Sequence, residues 1–171
     1  MISRKRPKLV LAIYFQTSGF GFALLEDRSS PVDWGASEIK GRHRAKRCLQ
    51  RIDALLALHT PDVLVLQDTT NDTRRAPRIR ALNRRTLQHA KRRHVPVYTY
   101  SRERVLDYFE ELGATTKHRI AETIARHTPA LDLYVPPRRK PWNSEDPRMG
   151  IFEAIALAWL FLRSTEKASP F

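Results

Sequence analysis

The most apolar stretch of this basic chain is IFEAIALAWLFL, at residues 151–162, and it contains a single acid, Glu153. A helix that spans a bilayer needs roughly 20 apolar residues, so this shorter stretch predicts a core helix instead. Burial of an unpaired carboxylate is costly. Glu153 must therefore either turn to solvent or face a cation, and the rest of the chain supplies the surroundings of that acid.

The chain has 171 residues and is 42% hydrophobic, which is enough for one domain with a real core and argues against disorder. Its formal net charge is +13. A globular protein this basic usually binds a polyanion, most often nucleic acid, and no stretch has the pattern of an interfacial membrane helix. Cys48 is the only cysteine, which excludes a disulfide framework and a cysteine zinc site. We predict a cytoplasmic protein that does not bind membranes.

Hydrophobic periodicity predicts an α/β fold. Three apolar or alternating segments form an antiparallel meander, and two further strands follow, each separated from the next by a helix. The predicted strands are 9–15, 20–26, 34–39, 62–67 and 95–100, and the predicted helices are 45–59, 77–93, 102–112, 116–128 and 151–162. The result is a mixed five-stranded sheet with helices on both faces, in one domain at 9–165, between a basic arm at 1–8 and a tail at 166–171.

Four short segments support a closer comparison: GFG at 19–21, PDVLVLQD at 61–68, GATTKHRI at 113–120 and GIFEAIALA at 150–158. With the order of elements, they resemble the RuvC branch of the RNase H-like superfamily, the Holliday-junction resolvases. The resemblance implies a divalent-metal-dependent endonuclease on branched DNA, with DNA favoured over RNA as partner, and a homodimer. It places Lys117 at the position of a lysine that contacts DNA.

The resemblance also implies a two-metal site, in which carboxylates from separate elements hold two divalent ions roughly 4 Å apart. The first strand has no acid near Tyr14, and the fourth strand ends in the amide Gln67 followed by Asp68. Glu153 takes the place of a catalytic aspartate on the last helix, with Asp146 seven residues before it. The candidate catalytic residues are therefore Asp68, Glu153, Asp146 and Gln67, and Mg²⁺ or Mn²⁺ would be held by Asp68 and Glu153.

Each of these four candidate residues also has a purely structural explanation. Glu153 fits a solvent-facing helix residue if the helix turns it outward, and Asp68 fits a turn residue directly after a strand. Because adjacent strand residues point to opposite faces, Asp68 fills the role of a metal ligand only if the strand ends or bulges there. Asp146 fits a helix cap before Pro147. Gln67 fits a polar strand end. Gly150 occupies the position where the resemblance implies an acidic or histidine partner.

Basic residues form the second candidate site. No acid occurs from Thr73 through Arg102, and a surface with only one sign of charge is best explained by phosphate contacts. Trp142 lies beside a further basic cluster, where an aromatic ring can stack on a base or pack on the protein. The predicted nucleic-acid-binding residues are Arg74, Arg75, Arg78, Arg85, Arg92, Lys117, Arg119, Arg138, Arg139 and Lys140.

Two functions remain open from the sequence. A metal-dependent endonuclease is favoured by the adjacent acids Glu145 and Asp146 in the lead-in to the last helix. A catalytically inactive nucleic-acid-binding or adaptor module, without a metal cofactor, is favoured by the missing first-strand acid. Charge alone also allows an RNA-associated protein. Trp159 and Phe161 could serve a dimer interface, and core packing explains them equally well.

Overall fold

Five strands form one mixed sheet in the order β3-β2-β1-β4-β5. The structure is a computed structural model that describes residues 8–168, apart from the side chains of 167 and 168. Of the predicted basic arm at 1–8, only position 8 is among the described residues. Of the predicted tail at 166–171, positions 166–168 are described. The strands are β1 Val10–Gln16, β2 Gly19–Asp27, β3 Ser30–Glu38, β4 Val63–Gln67 and β5 Val97–Tyr100. The helices are α1 Arg44–His59, α2 Pro77–Arg92, α3 Arg102–Glu111, α4 Lys117–His127 and α5 Met149–Ala168, with a 3₁₀ helix at Pro129–Tyr134 before α5.

Strand pairing confirms the predicted topology. β1 is antiparallel to β2, and β2 is antiparallel to β3, which makes the meander. β4 lies parallel to β1, and β5 lies parallel to β4. Parallel neighbours need a crossover connection, and α1 and α2 provide those connections. The carboxyl ends of β1, β4 and β5 therefore meet at one edge of the sheet.

The central strand β1 is apolar on both faces because both faces are covered. Ala12 and Tyr14 pack in a core with α3, α4 and α5, whereas Leu11 and Ile13 pack in a second core with α1 and α2. These two cores confirm the prediction of helices on both faces of the sheet. Alternation of side chains along the strand divides its residues between them.

Helix α5 approaches the sheet most closely where two glycines meet. A methyl group added to Gly21 on β2 would lie 2.1 Å from the backbone of Gly150, which is closer than atoms can pack. The same addition to Gly150 would collide with the Gln16 side chain. Gly150 thus brings the start of α5 against the first hairpin, and the Gln16 side chain occupies the space beside this position, where the resemblance implies an acidic or histidine side chain.

The last helix is longer than the apolar stretch that predicts it. α5 continues to Ala168, past the predicted domain end at 165. Its polar final turns are held by side chains, since Ser164 donates to the Phe161 carbonyl and Glu166 accepts from Arg28 at 3.3 Å. Within the described residues, no helix is long and apolar enough to cross a membrane.

Trp159 and Phe161 are both 1% exposed. Their side chains belong to the core between α5 and the sheet. Core packing therefore accounts for them, and the alternative in which they form a dimer interface is wrong.

Candidate functional site

Three residues define the floor of the site at the carboxyl edge of the sheet. Tyr14 follows Ile13, which pairs with Leu66 on β4, so Tyr14 and Gln67 are neighbours across the sheet. Gln67 pairs in turn with Tyr100 on β5. Because side chains alternate along a strand, Gln67 projects to the face that carries α5, as does Tyr14.

Glu153 lies on the side of α5 that faces this floor and is only 5% exposed. Its Oε2 accepts a hydrogen bond from Nη1 of Arg102 at 2.5 Å. Its Oε1 lies 3.9 Å from Nζ of Lys117, which also donates to Oε1 of Glu145 at 2.9 Å. Of the two predicted alternatives for Glu153, the structure therefore gives burial against cations.

The two cations come from the first residues of two helices. Arg102 begins α3 after its cap Ser101, whose hydroxyl accepts from the Arg104 amide at 3.2 Å. Lys117 begins α4 after its cap Thr116. A positive charge is unfavourable at a helix N-terminus, so the buried carboxylate of Glu153 offsets a cost at both helix starts.

Tyr14 occupies the place where the resemblance implies a first-strand acid, and it is held by a third cation. Arg75 donates to the Tyr14 hydroxyl at 3.2 Å and to the Phe15 carbonyl, and its guanidinium lies 5.1 Å from the Tyr14 ring centroid. Burial raises the pKa of Tyr14 and the charge of Glu153 adds to this, against the opposing effect of the nearby cations. The phenol is consequently neutral at physiological pH.

Lys117 stays protonated in this setting. Burial acts to lower the pKa of Lys117, but the Tyr14 phenolate, which forms only at high pH, and the carboxylates of Glu153 and Glu145 outweigh that effect and raise the pKa above its ordinary value. Lys117 therefore acts as a fixed positive charge between two carboxylates. It is predicted to contact nucleic acid, and the contacts seen here are with protein acids.

The donor set does not fit a two-metal centre. Arg102 and Lys117 pair with Glu153 and Glu145, and Arg75 binds Tyr14 beside them, so cations outnumber carboxylates by one. At about 4 Å from a guanidinium, a divalent ion would be repelled by about 8 kcal/mol at an effective dielectric constant of about 20. The buried Oε1 of Gln67, which has no hydrogen-bond partner, is one remaining oxygen donor. Among the residues that the structure describes, no three His, Cys, Asp or Glu side chains cluster in a way that could hold a metal ion.

The other two candidate acids have local partners. Asp68 is exposed, and its Oδ1 accepts from the Thr70 amide at 3.0 Å, as in a turn after a strand. Asp146 accepts from the Arg148 amide at 2.9 Å and from the Arg148 guanidinium at 3.0 and 2.7 Å. The hydrogen bond from the Arg148 side chain lowers the pKa of Asp146. The structure does not join either acid to Glu153 by a hydrogen bond or through a shared ion pair.

Arg102 nevertheless links the surroundings of Asp68 and Glu153. Asp68, Ser101 and Arg102 line one surface cavity of about 430 Å³. The same Arg102 side chain pairs with Glu153. A guanidinium, rather than a shared metal ion, is therefore common to the environments of the two acids.

The predicted basic surface divides into two groups. Some arginines bind the protein itself: Arg74 pairs with Asp72 at 3.2 Å, Arg75 holds Tyr14, and Arg78 donates to the Thr17 carbonyl at 2.9 Å. Lys117 pairs with Glu145, as described above. The remaining six predicted residues have exposed side chains, and one of them, Arg139, also donates to the Asn143 carbonyl. They are Arg85, Arg92, Arg119, Arg138, Arg139 and Lys140.

A groove of about 630 Å³ extends from Tyr14 toward the surface. The cations Lys40, Arg44 and Arg75 line it, together with the acids Glu38 and Glu145 and with Ser144 in the lead-in to α5. Sequence analysis did not single out Lys40, Arg44 or Arg102. Of these three residues, only Arg102 could have been found from local sequence. It follows the Ser101 cap directly, and a cation at that position opposes the helix dipole and needs a nearby acid.

Comparisons with known proteins agree with the fold described above. No protein-family model and no curated protein matches the chain. A structure of T. thermophilus RuvC in complex with a Holliday junction substrate matches with a TM-score of 0.64 at 16% identity, over 94% of this chain and 96% of that one. Another Thermus thermophilus RuvC structure matches with a TM-score of 0.65 at the same identity and coverage. The strand order, the two helical layers and these likenesses together show that the chain has the RuvC-like RNase H fold.

Proposed function

We propose that this protein is a nucleic-acid-binding module of RuvC-like fold in which basic side chains have replaced the metal centre. The observation that carries the proposal is the burial of Glu153 against Arg102 and Lys117. A site in which cations outnumber carboxylates attracts phosphate and repels divalent ions. The former catalytic edge therefore becomes part of a binding surface.

The exposed cations supply the remainder of that surface. Arg85 and Arg92 lie exposed on α2, and Lys40 lies exposed at the groove beside Tyr14. Arg44 also lines this groove, but its guanidinium donates to the Thr17 and Ile39 carbonyls. Phosphate neutralisation by such side chains gives binding that weakens steeply with salt. Branched DNA is the first ligand to test, since one structure of similar fold holds a Holliday junction substrate.

The competing function is a Mg²⁺- or Mn²⁺-dependent endonuclease that uses Asp68 and Glu153. In the sequence, the adjacent acids Glu145 and Asp146 before α5 favoured this endonuclease. In the structure, however, Glu145 pairs with Lys117, and Asp146 pairs with Arg148. Both acids thus have protein partners, and binding without cleavage is the better-supported function.

The test combines binding and cleavage on the same ligands. Fluorescence anisotropy would measure binding to a four-way junction, the matching duplex, a single strand and an RNA duplex at two salt concentrations. Cleavage of each would be followed with Mg²⁺ and then Mn²⁺, for the wild type and for Glu153→Gln. We expect salt-sensitive binding, tightest for DNA, and no cleavage. Cleavage that is lost in Glu153→Gln would establish the nuclease instead.

The proposal keeps two sequence-based expectations that have tests of their own. A homodimer would appear as twice the chain mass in light scattering after size exclusion. A cytoplasmic location would be checked by fractionation of cells that express the tagged chain.

A further inference from the structure

Trp142 has the most exposed aromatic side chain of the residues that the structure describes. It is 77% exposed, compared with 44% for Tyr98 and 37% for Tyr134. Single exposed apolar side chains are common on protein surfaces and need no explanation by themselves. The inference therefore depends on how Trp142 is presented and on what lies beside it.

A short hydrogen-bonded turn presents the ring. The Asn143 amide donates to the Lys140 carbonyl at 3.0 Å, and Arg139 Nε donates to the Asn143 carbonyl at 2.8 Å. Pro141 takes the second position of this turn, where proline fixes the backbone angle. Trp142 is thus held at the third position of a closed turn, so little conformational freedom would be lost when a flat partner stacks on it.

One cation lies over the ring, and two more precede it in the sequence. Nζ of Lys140 lies 5.6 Å from the Trp142 ring centroid, and Arg138 and Arg139 precede it in sequence with exposed side chains. The sequence analysis left open whether Trp142 packs on the protein or stacks on a base. Because Trp142 is 77% exposed, its side chain does not pack on the protein core.

The turn adjoins the basic groove. Ser144, which lines the groove with Lys40 and Arg44, is two residues from Trp142. Consecutive Cα atoms are about 3.8 Å apart, so the Cα atoms of Trp142 and Ser144 are at most about 8 Å apart. A basic track beside an aromatic platform is the arrangement that binds single-stranded nucleic acid, with phosphates in the track and a base on the ring.

We infer that Trp142 stacks on an unpaired nucleobase of the bound nucleic acid. This rests on the proposed function and deepens it, because it names the substrate class as nucleic acid with unpaired nucleotides. Bases inside a continuous duplex already stack on their neighbours, so their faces are not accessible to a surface ring. The preferred ligands are single strands, and junctions or ends whose bases are open.

The test compares an ordinary single-stranded oligonucleotide with one of equal length that has abasic sites. Both carry the same phosphates, so only base contacts differ. Binding of each would be measured by fluorescence anisotropy for the wild type, Trp142→Ala and Trp142→Phe. The matched control is Leu133→Ala, which truncates an apolar side chain that is 89% exposed outside this turn. Circular dichroism would confirm that each variant is folded.

We expect Trp142→Ala to weaken binding to the ordinary strand by about tenfold, within the range of base–aromatic stacking. Trp142→Phe should retain most of the affinity, and Leu133→Ala should leave it unchanged. On the abasic strand, all of these proteins should bind alike. An equal loss for Trp142→Ala on both strands, or no loss on either, would overturn the stacking role while leaving the proposed function intact. Failure of the wild type to bind either strand would overturn the stacking role, and the proposed function would also be overturned only if the four-way junction and the duplexes failed to bind.

Discussion

Replacement of Glu153 with glutamine distinguishes a buried ion-pair site from a metal site by the sign of the stability change. In a cluster of carboxylates that awaits metal ions, loss of one negative charge relieves repulsion and stabilises the metal-free protein. Here Glu153 is 5% exposed and has Arg102 at 2.5 Å and Lys117 at 3.9 Å. Loss of its charge leaves two cations without their shared partner.

The expected magnitude follows from burial. Removal of one member of a buried pair typically costs about 3–5 kcal/mol of unfolding free energy, because the other charge remains buried and unpaired. The Arg102 side chain is 20% exposed and lines a surface cavity, so water can reach part of it. Lys117 also keeps its contact with Glu145. We therefore expect Glu153→Gln to destabilise the protein by about 3 kcal/mol, at the lower end of that range.

The assay is equilibrium denaturation in urea, with unfolding free energy extrapolated to water. Glu111→Gln is the matched control, because Glu111 pairs with Arg163 at 3.0 Å but is 62% exposed. Exposed pairs contribute about 0–1 kcal/mol, so this control should change stability little. The double variant Arg102→Met with Glu153→Gln should recover part of the loss, since it removes the unpaired charge.

The opposite sign would refute this account. If Glu153→Gln left stability unchanged or raised it, Glu153 would not be held by its two cations. The metal-centred explanation of the site would then regain its support.

Four further predictions follow from the same structure. Addition of Mg²⁺ at 10 mM should not raise the urea midpoint of the wild type, whereas binding at about 0.1 mM dissociation constant would add about 2.7 kcal/mol. Asp146→Asn should reduce stability at neutral pH and cost nothing in strong acid. Arg148 lowers the pKa of Asp146, so the resulting stabilisation disappears as the pH falls below 3.8, the ordinary pKa of an aspartate. Urea denaturation from pH 2 to 7 would show this, and an equal loss of stability at every pH would contradict it. The double variant Arg85→Ala with Arg92→Ala should reduce the slope of log affinity against log salt by about 1.8 if both cations neutralise duplex phosphates, and an unchanged slope would place the DNA elsewhere. Gly21→Ala should destabilise the protein by about 1–3 kcal/mol or more, because its methyl group would collide with the backbone at the start of α5, and an unchanged urea midpoint would contradict that close approach.

Local sequence was sufficient for most of the fold. Alternating and continuous apolar runs report which faces of a strand are buried, so the central position of β1 and the order of strands and helices could be predicted. Local chemistry also accounts for the helix ends, with the caps Ser101 and Thr116 at the starts of α3 and α4 and Gly113 at φ 79° after α3. These features depend on residues that are close together in the sequence, so hydrophobic periodicity and cap residues are sufficient to predict them.

The candidate site was predictable only in part. Glu153 was recognisable because a lone acid in an apolar helix needs an explanation, but its partner Arg102 is 51 residues away in sequence. No local pattern specifies a pair at that separation. Likewise, a run of arginines does not reveal which of them bind the protein, such as Arg78 on the Thr17 carbonyl, and which remain exposed, such as Arg85.

The sequence by itself therefore determined the layers, the order of strands and helices along the chain, and the presence of one acid in an apolar helix. Tertiary structure decided the charge balance around that acid, because α3, α4 and the loop before α2 each bring one cation to the carboxyl edge of the sheet. Electrostatic energy depends on distances in space, whereas hydrophobic periodicity depends on spacing along the chain. For that reason the fold could be predicted from the sequence, and the pairing of Glu153 with Arg102 and Lys117 could be recognised only in three dimensions.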